Sequence, residues 1–188
     1  MNKAAQKGGN RKSSRFHRNR KKICFFFLGK YAHLSDWERD ILDIVREETL
    51  YFIPQCETKI MNEGWASYWH YTILNKLNLP QKLYFEFLRR HNQVVKPSMG
   101  RINPYYLGFK IFKDIEQKNP GDPGKIFAVR EIERDESFIR RYLTKELCGE
   151  LNLYGYKKEG NEFVVTEIAD DEGWQKIRDI IASGAGLG

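Results

Sequence analysis

The segment Thr58–His70, TKIMNEGWASYWH, carries two tryptophans, a tyrosine, an isoleucine and a methionine. It predicts a helix from Thr58 to about Leu77, with apolar or aromatic side chains nearly all round, as on a helix buried on most sides. The same segment holds Glu63 and His70, two groups that resist burial. At 3.6 residues per turn, Glu63, Ser67 and His70 share one face at offsets of four and seven. Trp65, Trp69 and Thr72 point away from it. Gly64 costs a helix about 1 kcal/mol relative to alanine, so its presence predicts a close approach of something to the backbone there.

A buried carboxylate must be protonated, paired or bound to a cation. Arg39, Arg46 and Lys59 are the possible structural partners of Glu63; the other reading makes Glu63 a metal ligand or a catalytic carboxylate. His70 reads either as a core histidine hydrogen-bonded to a backbone carbonyl or as a group that faces a substrate or orients a ligand. Glu63 and His70 are separated by about 10.5 Å along the helix axis, which is awkward for two ligands of one ion with metal contacts near 2 Å. Ser67 is closer and suits an orienting partner of Glu63. The candidates are therefore Glu63 for a metal, and Ser67 and His70 for catalysis. His91 and Asn92, at the end of a later helix, form a further candidate pair. Trp65, Tyr68 and Trp69 read as core.

Outward from this segment the pattern stays helical. Residues ICFFFLGKYA, from Ile23, predict a short helix. In HLSDWERDILDIVREETLYF, Ser35 is an N-cap with Glu38 completing a capping box. Trp37, Ile41, Leu42 and Val45 make the inward stripe, and Pro54 is expected in the loop that follows. Pro80 opens a third helix, PQKLYFEFLRRHNQVV. Asn103 followed by Pro104 starts another, NPGDPG breaks the chain, and short helices run to Cys148, with Thr144 as a cap. LYGYKKEGNEFVVTEI predicts a β-hairpin turning near Gly160-Asn161, and DDEGWQKIRDIIASG a last helix. The expected fold is mainly α: a helical domain over residues 23–150, followed by the start of a small α+β unit over 151–188. Two strands make a marginal sheet by themselves, so that unit is expected to be truncated.

Charge is unevenly placed. Residues 1–22 hold nine Lys and Arg and no acid; without them 23 basic residues face 25 acidic ones, so the +7 of the chain belongs to the tail. That tail predicts a disordered, solvated arm. Its nucleic-acid-binding alternative is weak, with almost no aromatic interleaving. The apolar block Ile23–Leu28 is too short for a secretory signal, and no apolar run reaches the 18 or so residues of a membrane span. Cys24, Cys56 and Cys148 form no zinc or redox motif and predict free thiols in a reducing cytoplasm.

From LSDWERDILDIVREETLYFIPQCETKIMNEGWASYWH the sequence closely resembles the stage V sporulation protein R (SpoVR) family. The likeness continues through HNQVVKPSMGRINPYYLGFKIFKDIE, KIFAVREIERDESFIRRYLTKELC and LYGY, and leaves aside the basic tail. It implies a cytoplasmic protein tied to spore cortex formation, or to a related stress role in bacteria that form no spores. Family members are longer, so this chain is expected to be an internal to C-terminal fragment. NEGWAS is also similar to the helix of glutamate-type zinc peptidases that supplies the third zinc ligand, which implies a metal-ligating role for Glu63. The histidines completing such a site would lie upstream. Of His17, His33, His70 and His91, none forms an H-E-x-x-H. This chain alone is therefore expected to be catalytically silent, to hold zinc poorly, and to expose apolar surface open to a protein partner. The competing reading is a non-enzymatic helical scaffold in which Glu63 is merely paired.

Overall fold

A computed structural model describes residues 24–98, 101–160 and 162–185. Residues 1–22, expected to be a disordered tail, lie outside them. The chain divides into two compact units, one up to Cys56 and one from Glu57 onward.

In the first unit a short helix, α1, spans residues 24–31 and a long one, α2, spans Asp36–Glu57. The start of α2 forms one half of the expected capping box, with the Ser35 hydroxyl donating to Glu38 and not accepting from its backbone N–H. Glu38 Oε2 accepts from the Ser35 backbone N–H at 2.8 Å and from its hydroxyl at 2.6 Å, and this pulls the Glu38 carboxyl below its ordinary value. Two expectations fail here. Pro54 lies inside α2 rather than in a loop after it: proline removes one ladder bond, and the helix continues for three more residues before it ends. The stripe of Trp37, Ile41, Leu42 and Val45 does not point into a core, since no residue of α2 is buried. Trp37 is 64% exposed and Ile41 51%.

The second unit is built on α3, Lys59–Lys76, and α5, Pro104–Lys118, which pack closely along one another. Gly64 and Gly108 meet at the crossing. A Cβ on Gly64 would collide with the backbone of Gly108 and stand 2.9 Å from Phe109 N, which is the close approach that Gly64 predicts. Met61, Tyr68, Leu107, Ile111, Phe112 and Ile115 fill the seam, all at most 2% exposed. Each such side chain contributes about 1.5–3 kcal/mol through burial. Trp65 and Trp69 pack against this core and against Phe112 and Phe127. Tyr68 is enclosed, and burial, then Glu116, pushes its phenol up to about 12. These three aromatics are core, as read from the sequence.

Helix α4, Gln81–Val94, flanks α3. The N-terminus of α5 is fixed by Asn103, which accepts from Tyr105 N at 3.0 Å. Its amide donates to Val94 O at 2.8 Å and Lys96 O at 2.9 Å, so one cap also ties α5 to the end of α4. Helices α6, Lys125–Ile132, α7, Asp135–Tyr142, and α8, Lys145–Glu150, follow. Thr144 caps α8 through Leu147 N. Strands β1, Gly155–Glu159, and β2, Glu162–Glu167, pair antiparallel, with Glu159 opposite Glu162. Gly160, with φ at +62°, takes the left-handed turn position. Helix α9, Gly173–Gly184, ends the described chain and packs against α7. The fold is mainly helical with a small two-stranded sheet near its end, as expected.

Candidate functional site

Helix α3 positions all three candidates, but not as one buried cluster. Its exposed edge runs through Lys59, Asn62, Ala66, His70 and Ile73. Glu63 sits beside that edge and is half-buried, Ser67 is buried, and His70 is exposed. The expectation of a deeply buried Glu63 is therefore corrected: the helix presents a solvent-facing strip where the composition suggested burial on most sides.

The partner of Glu63 is Tyr105, in the first turn of α5. The nearby Glu63 carboxylate, more than desolvation, raises the Tyr105 phenol above its ordinary value. No ion pair involving Glu63 forms among the described residues. Lys59, on the same helix, does not reach it, and Arg39 and Arg46 belong to the first unit. Nor does Ser67 orient it. The result is a half-buried carboxylate beside a neutral hydroxyl, with no ion pair among the described residues. Beyond Tyr105 lies a cavity of about 470 Å³ lined by Val94, Ser98, Arg101, Ile102, Asn103, Pro104 and Tyr105.

His70 makes a second polar contact, with His91 of α4. Their Nδ1 atoms are 3.5 Å apart and their rings lie within 21° of parallel, with centroids 5.7 Å apart. His91 is 4% exposed and is walled by Tyr71, Phe87 and Phe109. Burial, then the charges of His70 and Lys113, lower its pKa. Its Nε2 is buried without a hydrogen-bond partner. The core-histidine reading thus falls on His91, while His70 is the open member of the pair.

The sequence did not reveal two residues. Tyr105 follows the Asn103-Pro104 start signal, and only the packing of α5 on α3 turns it toward Glu63. Asp135, 1% exposed, accepts from Ile60 N at 2.8 Å and Met61 N at 2.9 Å. It caps α3 across 75 residues of chain, where Thr58 offers no side-chain cap. In the sequence it reads only as an acid in the first turn of its own helix.

As for zinc, a catalytic site ordinarily takes three protein ligands. No group of three His, Cys, Asp or Glu placed to hold a metal occurs among the described residues. Glu63 has a hydroxyl and not a second ligand beside it, so the described residues do not make a catalytic zinc site by themselves. Cys24, Cys56 and Cys148 are free thiols, and burial pushes the Cys148 thiol up to about 11, leaving it unreactive. No helix among the described residues is long and apolar enough to cross a membrane.

The family profile described as "SpoVR like protein" matches residues 1–188. The match takes in the basic tail, which the residue-level resemblance had left aside. Among curated proteins, the uncharacterized protein YcgB of Escherichia coli (strain K12) is 35% identical over 188 aligned positions, covering 84% of this chain and 37% of its own length. The chain thus spans little more than a third of that relative. No solved structure matches.

Proposed function

The chain belongs to the SpoVR-like protein family, and from that premise we propose that it is the helical part of a cytoplasmic bacterial protein that serves spore cortex assembly, or a related stress role, through a metal-dependent hydrolytic pocket around Glu63. The observation that carries the pocket is the state of Glu63. It is half-buried, free of any basic partner among the described residues, and lies beside the Tyr105 hydroxyl. With no Lys or Arg against it, the carboxylate keeps lone pairs free for a cation. The remaining ligands would come from histidines in the longer family members, outside this chain. When bound, the metal would acidify a water for attack on an amide or similar bond. This chain's own part is to present the Glu63 carboxylate beside Tyr105.

The test uses a longer family member such as the E. coli relative. After exhaustive dialysis it is expected to keep close to one zinc per chain, and changing its counterpart of Glu63 to Gln is expected to release that metal. This chain, dialysed the same way, keeps far less than one. Retention of the metal after the Glu→Gln change would remove Glu63 from the ligand set.

A non-enzymatic scaffold is the second reading, and one observation favours it. Helix α2 offers Trp37, Ile41, Ile44 and Val45 to solvent, each more than 40% exposed, a stripe suited to a protein partner. A longer member that holds no metal at all would favour this reading over the pocket. Nucleic-acid binding through the basic tail is the remaining possibility, and deletion of residues 1–22 tests it. Salt-sensitive RNA retention that is lost on deletion would support it, and retention unchanged by deletion removes it.

A further inference from the structure

We propose that His70 and His91 form a proton-sensitive latch, which holds α4 on α3 while both imidazoles are neutral and lets it go as the pH falls. Helix α4 has few other anchors. Within it only Phe87 and His91 are buried, so His91 is one of two side chains that seat the helix. Tyr84 adds a polar tie, its hydroxyl donating to Asn75 Oδ1 of α3 at 2.9 Å. The far end of α4 is held separately, by the Asn103 amide on Val94 O and Lys96 O.

The hydrogen-bonding capacity of the pair carries the argument. The two Nδ1 atoms lie 3.5 Å apart, so one carries the hydrogen and the other accepts it. His91 Nε2 is buried without a partner. The neutral pair meets both conditions when His91 Nδ1–H donates to His70 Nδ1 and Nε2 stays bare. No protonated pair does. A proton added to His91 puts N–H on both of its nitrogens. A proton added to His70 makes its Nδ1 a donor, so His91 must accept through Nδ1 and carry its own hydrogen on Nε2. Either way, keeping the contact buries an N–H that has no acceptor. The groups facing His91 offer no relief. They are His70 and Tyr71 from α3, Phe87 from α4, and Phe109 and Lys113 from α5; one is a cation and none is a carboxylate. Burial, then His70 and Lys113, accordingly hold His91 below the ordinary 6.5. The closed latch thus binds fewer protons than the open one. Its stability is full above 6.5 and is lost as pH falls below that value. One unit below, linkage favours opening by about tenfold. None of this depends on a metal at Glu63.

The experiment is hydrogen exchange of the full chain at about pH 7.5 and 5.5, corrected for the intrinsic effect of pH on exchange and read on peptides of α4 and α5. Protection of α4 is expected to fall about tenfold on acidification, while that of α5 holds. His91→Phe keeps an aromatic anchor that cannot titrate, and is expected to abolish the response. His70 is exposed, so His70→Ala leaves the fold intact and keeps the test open should His91→Phe fail to fold. In the parent, the His91 C2–H resonance is expected to titrate below 6.5. In His70→Ala its midpoint should move up toward that value, and the response of α4 should shrink. Equal α4 protection at the two pH values overturns the latch, as does a response that survives in His91→Phe. A His91 midpoint unmoved by His70→Ala shows that the two rings are not coupled and overturns it too. Protection lost alike from α4 and α5 is general acid unfolding and likewise sinks the proposal.

Discussion

Gly64→Ala is expected to force apart the packing of α3 on α5. The new Cβ would meet backbone, not a side chain: Gly108 Cα and C on the facing helix, with Phe109 N at 2.9 Å. Backbone atoms of a packed helix cannot rotate away, so α3 and α5 must separate along the seam that holds Met61, Tyr68, Leu107 and Phe112. Overpacking of a core typically costs about 1–3 kcal/mol. With two backbones opposed, the loss should reach about 3–5 kcal/mol, against a gain of about 1 kcal/mol from alanine's helix propensity. The mirror change Gly108→Ala points its Cβ at Ile60 O and should cost as much. Gly149→Ala is the control. Gly149 lies within α8 with nothing inside 4 Å of its Cβ position, so that change should be neutral or stabilising by up to about 1 kcal/mol. Thermal unfolding followed by circular dichroism checks all three. At about 2–4 °C per kcal/mol for a chain of this size, Gly64→Ala should melt on the order of 10 °C below the parent. A melt within a degree or two would show that the helix crossing is looser than described.

The same crossing shows which parts of this protein the sequence could disclose. Gly64 was legible because glycine in a helix interior is costly and has few structural excuses; only its partner, Gly108, was hidden, being 44 residues away. Local signals fared the same way. Ser35 with Glu38, Asn103 with Pro104, Thr144 and Gly160 all act within a few residues of themselves, and each stands where its chemistry places it. The amphipathic stripe of α2 was legible as a pattern and misread as burial. Periodicity reports that a face is apolar, not that anything covers it. The candidate site divided along the same line. Helical spacing put Glu63, Ser67 and His70 on one side of α3, yet the helix contributes only half of each contact. Tyr105 comes to Glu63 from α5, and His91 comes to His70 from α4. A helical wheel contains neither. The exposure of His70 and the half-burial of Glu63 depend on where α4 and α5 stop covering α3, which is a property of packing and not of α3's own sequence.

Asp135 is the residue whose removal should loosen that arrangement most from a distance. It is the first residue of α7, yet its carboxylate accepts the opening N–H groups of α3, from Ile60 at 2.8 Å and Met61 at 2.9 Å. A helix leaves its first N–H groups without intrahelical partners, and Thr58 supplies no side-chain cap. A carboxylate there also meets the positive end of the helix dipole. In Asp135→Ala two donors at a buried site lose a charged acceptor, at about 1.5–3 kcal/mol each, so a loss of about 3–5 kcal/mol is expected. Asp135→Asn keeps the shape but turns one acceptor oxygen into an amide that faces an N–H, so it should fall between the two. The pH dependence has a definite sign. Burial raises the Asp135 carboxyl above its ordinary 3.8, outweighing the lowering by the Ile60, Met61 and Lys59 N–H groups and by Arg130. In the window between 3.8 and the raised value, the folded state binds more proton at this residue than the unfolded state does. The stability it contributes is therefore full below 3.8 and declines as pH rises through the raised value. Urea midpoints of the parent and of Asp135→Ala, measured from acid to neutral pH, should show the parent's lead shrinking across that window and then levelling. A lead that grows with pH would mean that the backbone donors outweigh desolvation, and that the carboxylate is held below its ordinary value by the end of α3.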